Sequence, residues 1–211
     1  MRNKPKKKKR FLINILRMMV LVLIAALLYG FFAKGWFTGR KVDQIAKQPV
    51  PNWVDVQLID IDGASRRGEK LDGIKDIVIH YVGNPGTTAK QNRGFFANPK
   101  SGISAHFLVG LKGEVLQCVP LDEKSSASNW RNNDTISIEV CHPDDTGKFT
   151  DVTYQSLVRL TAWLCETASL KTNHIIRHYD ITGKECPRYF VKHEDAWQQF
   201  KEDVSHSLIN E

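Results

Sequence analysis

At 211 residues the chain has room for one sizeable domain and an appendage, not two full domains. Its composition, 42% hydrophobic and 25% charged, is that of an ordinary globular protein. The formal charge of +7 invites a nucleic-acid-binding reading, but the first ten residues, MRNKPKKKKR, hold seven Lys/Arg and no acid, leaving 23 basic against 23 acidic residues beyond them. The folded part is therefore net neutral, and the basic tail is no argument for a nucleic-acid partner.

The tail has its explanation immediately downstream. Phe11 to Phe37 reads FLINILRMMVLVLIAALLYGFFAKGWF, and its uncharged core, Met18 to Ala33, is somewhat shorter than the roughly 20 residues of a membrane span. Arg17 and Lys34 at the edges have stems long enough to snorkel to the interface, and Trp36 and Phe37 fit an aromatic anchor there. The basic cluster on the amino side places the N-terminus in the cytoplasm and the remainder outside the cell. A cleaved signal peptide lacks a small-x-small site, since Phe31 spoils the one ending at Ala33, and no Cys precedes Cys118 to carry a lipid. Residues 1–10 are thus read as a cytoplasmic tail, 11–37 as a transmembrane signal anchor, and the polar, proline-bearing 38–52 as a linker. The four cysteines are too few for a disulfide framework in a domain of this size.

Residues 53–205 carry the pattern of an α/β domain, with a single central, mostly mixed β-sheet covered by helices. Ile77–Val82 (IVIHYV) is a β-branched run suited to a buried strand. A helix is expected over Thr87–Ala97 with Thr87 as N-cap. Ser104–Val109 and Val115–Val119 read as a hairpin around GLKGE, and Ile136–Cys141 (ISIEVC) as an alternating strand. Leu157, Leu160, Leu164 and Ala168 lie at helical spacing within Thr153–Leu170. His174–His178 is expected as a strand and His193–Val204 as a closing amphipathic helix.

The segment richest in chemistry is RHYDITGKECPRYF, Arg177 to Phe190. Here a His at a strand end is followed, eight residues on, by Cys186 before Pro187, a spacing that suits two ligands on one turn. His80, at the centre of IVIHYVG, offers a third donor, because an ionisable group inside an apolar strand must be hydrogen-bonded, ligated or turned to an open face. Two imidazoles and a thiolate suit Zn²⁺, and three protein ligands plus water is the catalytic arrangement. Taken singly, each of these is more simply a packed or surface residue. The HIIRH run also pairs His174 with His178, but along a strand the two rings would stand about 13 Å apart, too far for one ion. Glu139, amid the apolar neighbours of ISIEVC, is a candidate base. Lys184, two residues before Cys186, is a candidate oxyanion donor.

At these residues the chain resembles the amidase-2 family of N-acetylmuramoyl-L-alanine amidases, which includes phage lysozyme-type amidases, endolysins and animal peptidoglycan-recognition proteins. The likeness spans about 54–204 and rests on IVIHYVGNPGT, SAHFLVGLKGEV, TISIEVCHPDDTGKF and RHYDITGKECPRYF, in that order. It implies zinc held by His80, His178 and Cys186, with Glu139 and Lys184 as the catalytic pair. The implied reaction is hydrolysis of the amide between N-acetylmuramic acid and L-alanine of peptidoglycan. Two departures stand out. Ala105 occupies the position where the lysozyme-like branch has a catalytic Tyr, so Glu139 must carry the proton. SSASN, Ser125 to Asn129, replaces the WHAG segment of many relatives, which leaves any substrate contact there open. His106 is read as a structural or second-sphere residue rather than a ligand. The rival reading is a non-catalytic peptidoglycan-binding protein of the same fold, whose usual implied sign is loss of the Cys ligand; Cys186 is present.

Overall fold

The computed structural model describes residues 4–61 and 63–209, and within the first helix it describes the side chains of residues 10–30 and 42–46. The chain divides into two compact units, residues 1–40 and 41–211. In the first unit, Arg10–Gly30 is an apolar helical stretch of 21 residues with mean hydropathy 2.6 and none of it buried in protein. That is long enough to cross a bilayer at 1.5 Å per residue, and a signal sequence would have the same character. The anchors expected at Lys34, Trp36 and Phe37 lie outside the described side chains.

The regular elements, in chain order, are α1 (Lys4–Ala46), β1 (Val54–Val56), β2 (Asp76–Tyr81), α2 (Ala89–Phe96), β3 (Phe107–Val109), β4 (Val115–Gln117), β5 (Thr135–Val140), α3 (Asp151–Ala168), β6 (Ile175–Arg177), α4 (His178–Thr182), α5 (Arg188–Lys192) and α6 (Glu194–Ile209). Six strands form one sheet in the order β1-β4-β3-β5-β2-β6. All neighbours are parallel except the β3–β4 hairpin, which is antiparallel. The single mixed sheet read from the sequence is therefore what forms.

Strand periodicity sorts the two faces. Ile77 and Ile79 of β2 and Ile136, Ile138 and Val140 of β5 join Leu157, Leu160 and Leu164 of α3 and Trp197, Phe200 and Val204 of α6 in the main core. The alternate residues, Val78 and His80 on β2 and Ser137 and Glu139 on β5, fall on the opposite face. There Ala89 and Phe96 of α2 pack with Leu108 and Leu116 in a smaller apolar cluster. One face of the sheet holds the fold together, and the other is left for chemistry.

Several boundaries differ from the expectation, each for a local reason. The N-cap of α2 is Thr88, not Thr87: its hydroxyl accepts from the Gln91 N–H while the Gln91 carboxamide accepts from the Thr88 N–H, a full capping box. The segment read as a linker is not all stalk. Val42 and Ile45, one helical turn apart, are buried in the main core of the second unit. The strand expected over His174–His178 shortens to Ile175–Arg177. His174 closes a 3-10 turn with its Nδ1 3.1 Å from Asp76 Oδ1, and His178 starts α4. All four cysteines are buried free thiols.

Candidate active site

Strand register brings the expected residues together. β2 lies between β5 and β6, and in the parallel β2–β5 ladder His80 pairs with Glu139. Parallel partners in register project to the same face, so imidazole and carboxylate become neighbours. On the other side Ile79 pairs with Arg177, so His178, the next residue, arrives level with His80. The site thus sits at the carboxyl ends of parallel strands, where sheets of this type leave room for ligands.

Cys186 is delivered by the loop after α4. Gly183, at φ 76°, ends that helix in the left-handed region, and the Tyr179 N–H closes the loop on the Cys186 carbonyl at 2.9 Å. Arg177 braces the loop from below. Its guanidinium donates to Asp180 at 2.9 Å, Glu194 at 2.7 Å and the Phe190 carbonyl at 3.1 Å, tying β6, α4, α5 and α6 together. Nothing in the spacing of RHYD sets this arginine apart from a surface residue.

His80, His178 and Cys186 are all buried, and one donor atom from each lies within 4.8 Å of the others. Cys186 Sγ is 3.9 Å from His80 Nδ1. A tetrahedral site with metal–sulfur and metal–nitrogen bonds of about 2.3 and about 2.1 Å has such an edge at roughly 3.6 Å. Burial pulls the pKa of both imidazoles below the usual histidine range, His80 most strongly, with the charge of Lys184 adding to the effect on each. Both rings are therefore neutral, the form that ligates a metal. The donor set fits a tetrahedral dication.

Glu139 has one oxygen, Oε2, sealed from solvent with no hydrogen-bond partner among the described residues. Burial pushes its carboxyl up to about 8, against the opposing pull of the Lys184 ammonium. Lys184 itself is exposed at the rim and makes no ion pair among the described residues. A cleft of about 680 Å³ opens over these five side chains and extends past Arg67, Asn92, Phe95 and Ile103. It is large enough for a substrate of several residues or sugar units.

The comparisons with known proteins bear on this constellation. Residues 70–189 match the family model for N-acetylmuramoyl-L-alanine amidase, a span that holds all five side chains. The chain belongs to that amidase family. Among curated members it is 32% identical over 170 residues to N-acetylmuramoyl-L-alanine amidase CwlL of Bacillus licheniformis, covering 72% of this chain and 47% of that protein. It is 33% identical over 167 residues to amidase BlyA of Bacillus subtilis, covering 69% of this chain and 45% of that one. The chain thus spans about half the length of these curated relatives. Among solved structures, the catalytic domain of XlyA superposes with TM-score 0.63 at 25% identity, covering 72% of this chain and 98% of that domain. The family match covers the part of the sheet-and-helix frame that carries this site, and the N-terminal unit lies outside it.

Within this amidase domain His106 lies apart from the ligand group. It is fully buried, its Nδ1 accepts the Ser137 N–H at 3.0 Å, and its Nε2–H donates to the Glu123 carbonyl at 2.8 Å. That pairing requires the neutral Nε2–H tautomer, and burial lowers the pKa to about 4. Between the ordinary value near 6.5 and about 4, the unfolded chain binds a proton here and the folded chain does not. Stability should therefore fall as pH drops through that window, by on the order of 3 kcal/mol from this residue. Urea unfolding at pH 7 and pH 5 checks this: His106→Asn should be less stable than the parent at pH 7 yet lose less on acidification. Equal losses in the two proteins would count against the assignment.

Two contacts were not legible beforehand. Ser128 Oγ lies 3.2 Å from His80 Nε2, and Asn129 Oδ1 lies 2.8 Å from His178 Nε2. Both residues belong to SSASN and sit about fifty positions from their partners, so no spacing pattern could announce them.

Proposed function

We propose that this chain is a zinc-dependent N-acetylmuramoyl-L-alanine amidase, held at the membrane by its N-terminal helix with the amidase domain outside the cell. Its reaction is hydrolysis of the amide between the lactyl carboxyl of N-acetylmuramic acid and L-alanine of peptidoglycan. One observation carries the reading: a His₂Cys donor set, a carboxylate with one sealed oxygen and an ammonium, neither the oxygen nor the ammonium paired among the described residues, converge in one cleft of an amidase-family fold.

Zinc bound by His80, His178 and Cys186 would supply a Lewis acid that polarises the scissile carbonyl and makes water more acidic. Glu139, one strand away in register with His80, takes the proton from the attacking water. The same carboxyl then returns that proton to the departing L-alanine amine. Lys184 at the rim donates to the oxygen that gains negative charge as the carbonyl becomes tetrahedral. The apolar walls at Phe95 and Ile103 help exclude bulk water and strengthen these charge interactions. Cys186 is spoken for as a ligand, and with burial pushing its thiol up to about 12 it is a poor free nucleophile.

The apolar stretch Arg10–Gly30 behind a basic tail supports anchoring with that tail in the cytoplasm. The full chain in detergent, incubated with purified sacculi, should release stem peptides with free L-alanine amino termini, detectable by amine labelling and mass spectrometry. New reducing sugar ends, or intact wall that merely retains the protein, would overturn the reading.

A further inference from the structure

A turn at the wall of the cleft sets two side chains against the Nε2 atoms of the histidines. Ser128 is completely buried, and its hydroxyl faces His80 Nε2. Asn129, the next residue, faces His178 Nε2 with its side-chain oxygen. Two consecutive residues thus engage the two imidazoles, whose ring centroids are 4.6 Å apart. The turn is itself pinned: the Asn132 side-chain oxygen accepts the backbone N–H groups of Ala127 and Ser128 at 3.2 and 2.6 Å. Asn129 takes a left-handed conformation, φ 53°, uncommon for a residue other than glycine, and this is the conformation that carries its amide under His178.

Asn129 selects a tautomer by its chemistry, and Ser128 suits the same one. An amide oxygen can only accept, so His178 Nε2 carries the hydrogen and Nδ1 is left with its lone pair. Ser128 Oγ can donate or accept; with His80 Nδ1, the nitrogen that points at Cys186, given to the metal, it accepts from Nε2–H. Locking the outer nitrogen fixes ring orientation and raises the basicity of the inner one, which is what a metal-ligating histidine needs.

We infer that Ser128 and Asn129 are positioning residues that hold both metal histidines in the Nδ1-ligating tautomer, so that the SSASN turn sets the affinity of this chain for its metal. The inference rests on the zinc-site reading above. It gives a task to the segment whose departure from the WHAG pattern left its substrate contact open.

The test uses the metal-free full chain in detergent, titrated with zinc against a chromogenic chelator and, separately, with cobalt followed by its visible spectrum. Ser128→Ala and Asn129→Gly each remove an acceptor, and glycine adopts φ 53° without strain, so a loss in that variant is not a backbone effect. Each should weaken zinc binding about 10- to 100-fold with an altered cobalt spectrum. Asn129→Asp, which keeps an accepting oxygen, should bind at least as well as the parent. Thermal unfolding of the metal-free proteins should show Asn129→Gly close to the parent, since Asn129 is exposed. Parent-like zinc affinity in both acceptor-less variants would overturn the inference while leaving the ligand assignment intact. Failure of the parent itself to bind one zinc, or Cys186→Ser binding as tightly as the parent, would instead overturn the zinc-site reading.

Discussion

Glu139→Gln is expected to lower amide hydrolysis by about 10³-fold while leaving one zinc bound per chain. Glutamine keeps the volume and the strand alternation of β5 but cannot take a proton, so the loss would be one of proton transfer, not of architecture. At about 1.4 kcal/mol per tenfold, this amounts to roughly 4 kcal/mol of barrier, within what a positioned general base supplies. The pH profile adds a second readout. Burial without a metal holds the Glu139 carboxyl at about 8, mostly protonated at neutral pH and unfit as a base. A dication beside it favours the charged form and draws the pKa down. The acid limb of the parent profile should therefore lie below pH 8, with activity lost as pH falls through it, and the Gln variant should lack that limb. Steady-state kinetics across pH, with zinc measured on the same samples, checks both statements. Full activity in Glu139→Gln would remove this residue from the mechanism.

The second large effect is expected at Cys186. Cys186→Ser should lose stoichiometric zinc, and activity with it, because a serine hydroxyl stays protonated where a thiol can ionise onto a metal. With burial pushing the free thiol up to about 12, metal uptake at neutral pH must displace a proton that otherwise stays bound. Apparent zinc affinity should therefore rise with pH, and uptake in weak buffer should release acid. Elemental analysis of the purified variant decides the first point and a pH-indicator dye the second. A Ser variant that retains a full equivalent of zinc would mean the thiol is not a ligand.

Much of the site was legible because its parts are local or ride on strands. His80 and Glu139 each interrupt a β-branched run, and strand periodicity alone sends them to the face opposite Ile79 and Ile138. Their register is a long-range fact, supplied by the pairing of β2 with β5. Cys186 was readable through the Gly-then-Pro loop, and Gly183 does end α4 in the left-handed region. What stayed hidden involves side chains whose partners are remote. Ser128 and Asn129 are ordinary loop residues by composition, and Arg177 looks like a surface cation until α5 and α6 bring Phe190 and Glu194 to it.

Misplaced boundaries have similar causes. Thr87 and Thr88 are equally good caps by type, and only the glutamine three residues after Thr88 separates them. His178 continues the apolar HIIRH run, yet its backbone turns into α4, where the Asp180 carboxylate accepts the Arg177 N–H at 2.8 Å. Val42 and Ile45 were masked by the lysines and glutamines around them, although their spacing is that of one buried helical stripe.

The most direct measurement is a zinc titration of the metal-free full chain with sacculi present, following release of L-alanine amino termini. Release should be negligible without metal, rise in proportion to added zinc and level off at one equivalent per chain. Undiminished release from the stripped chain, or none at any zinc loading, would contradict a zinc amidase built on His80, His178 and Cys186.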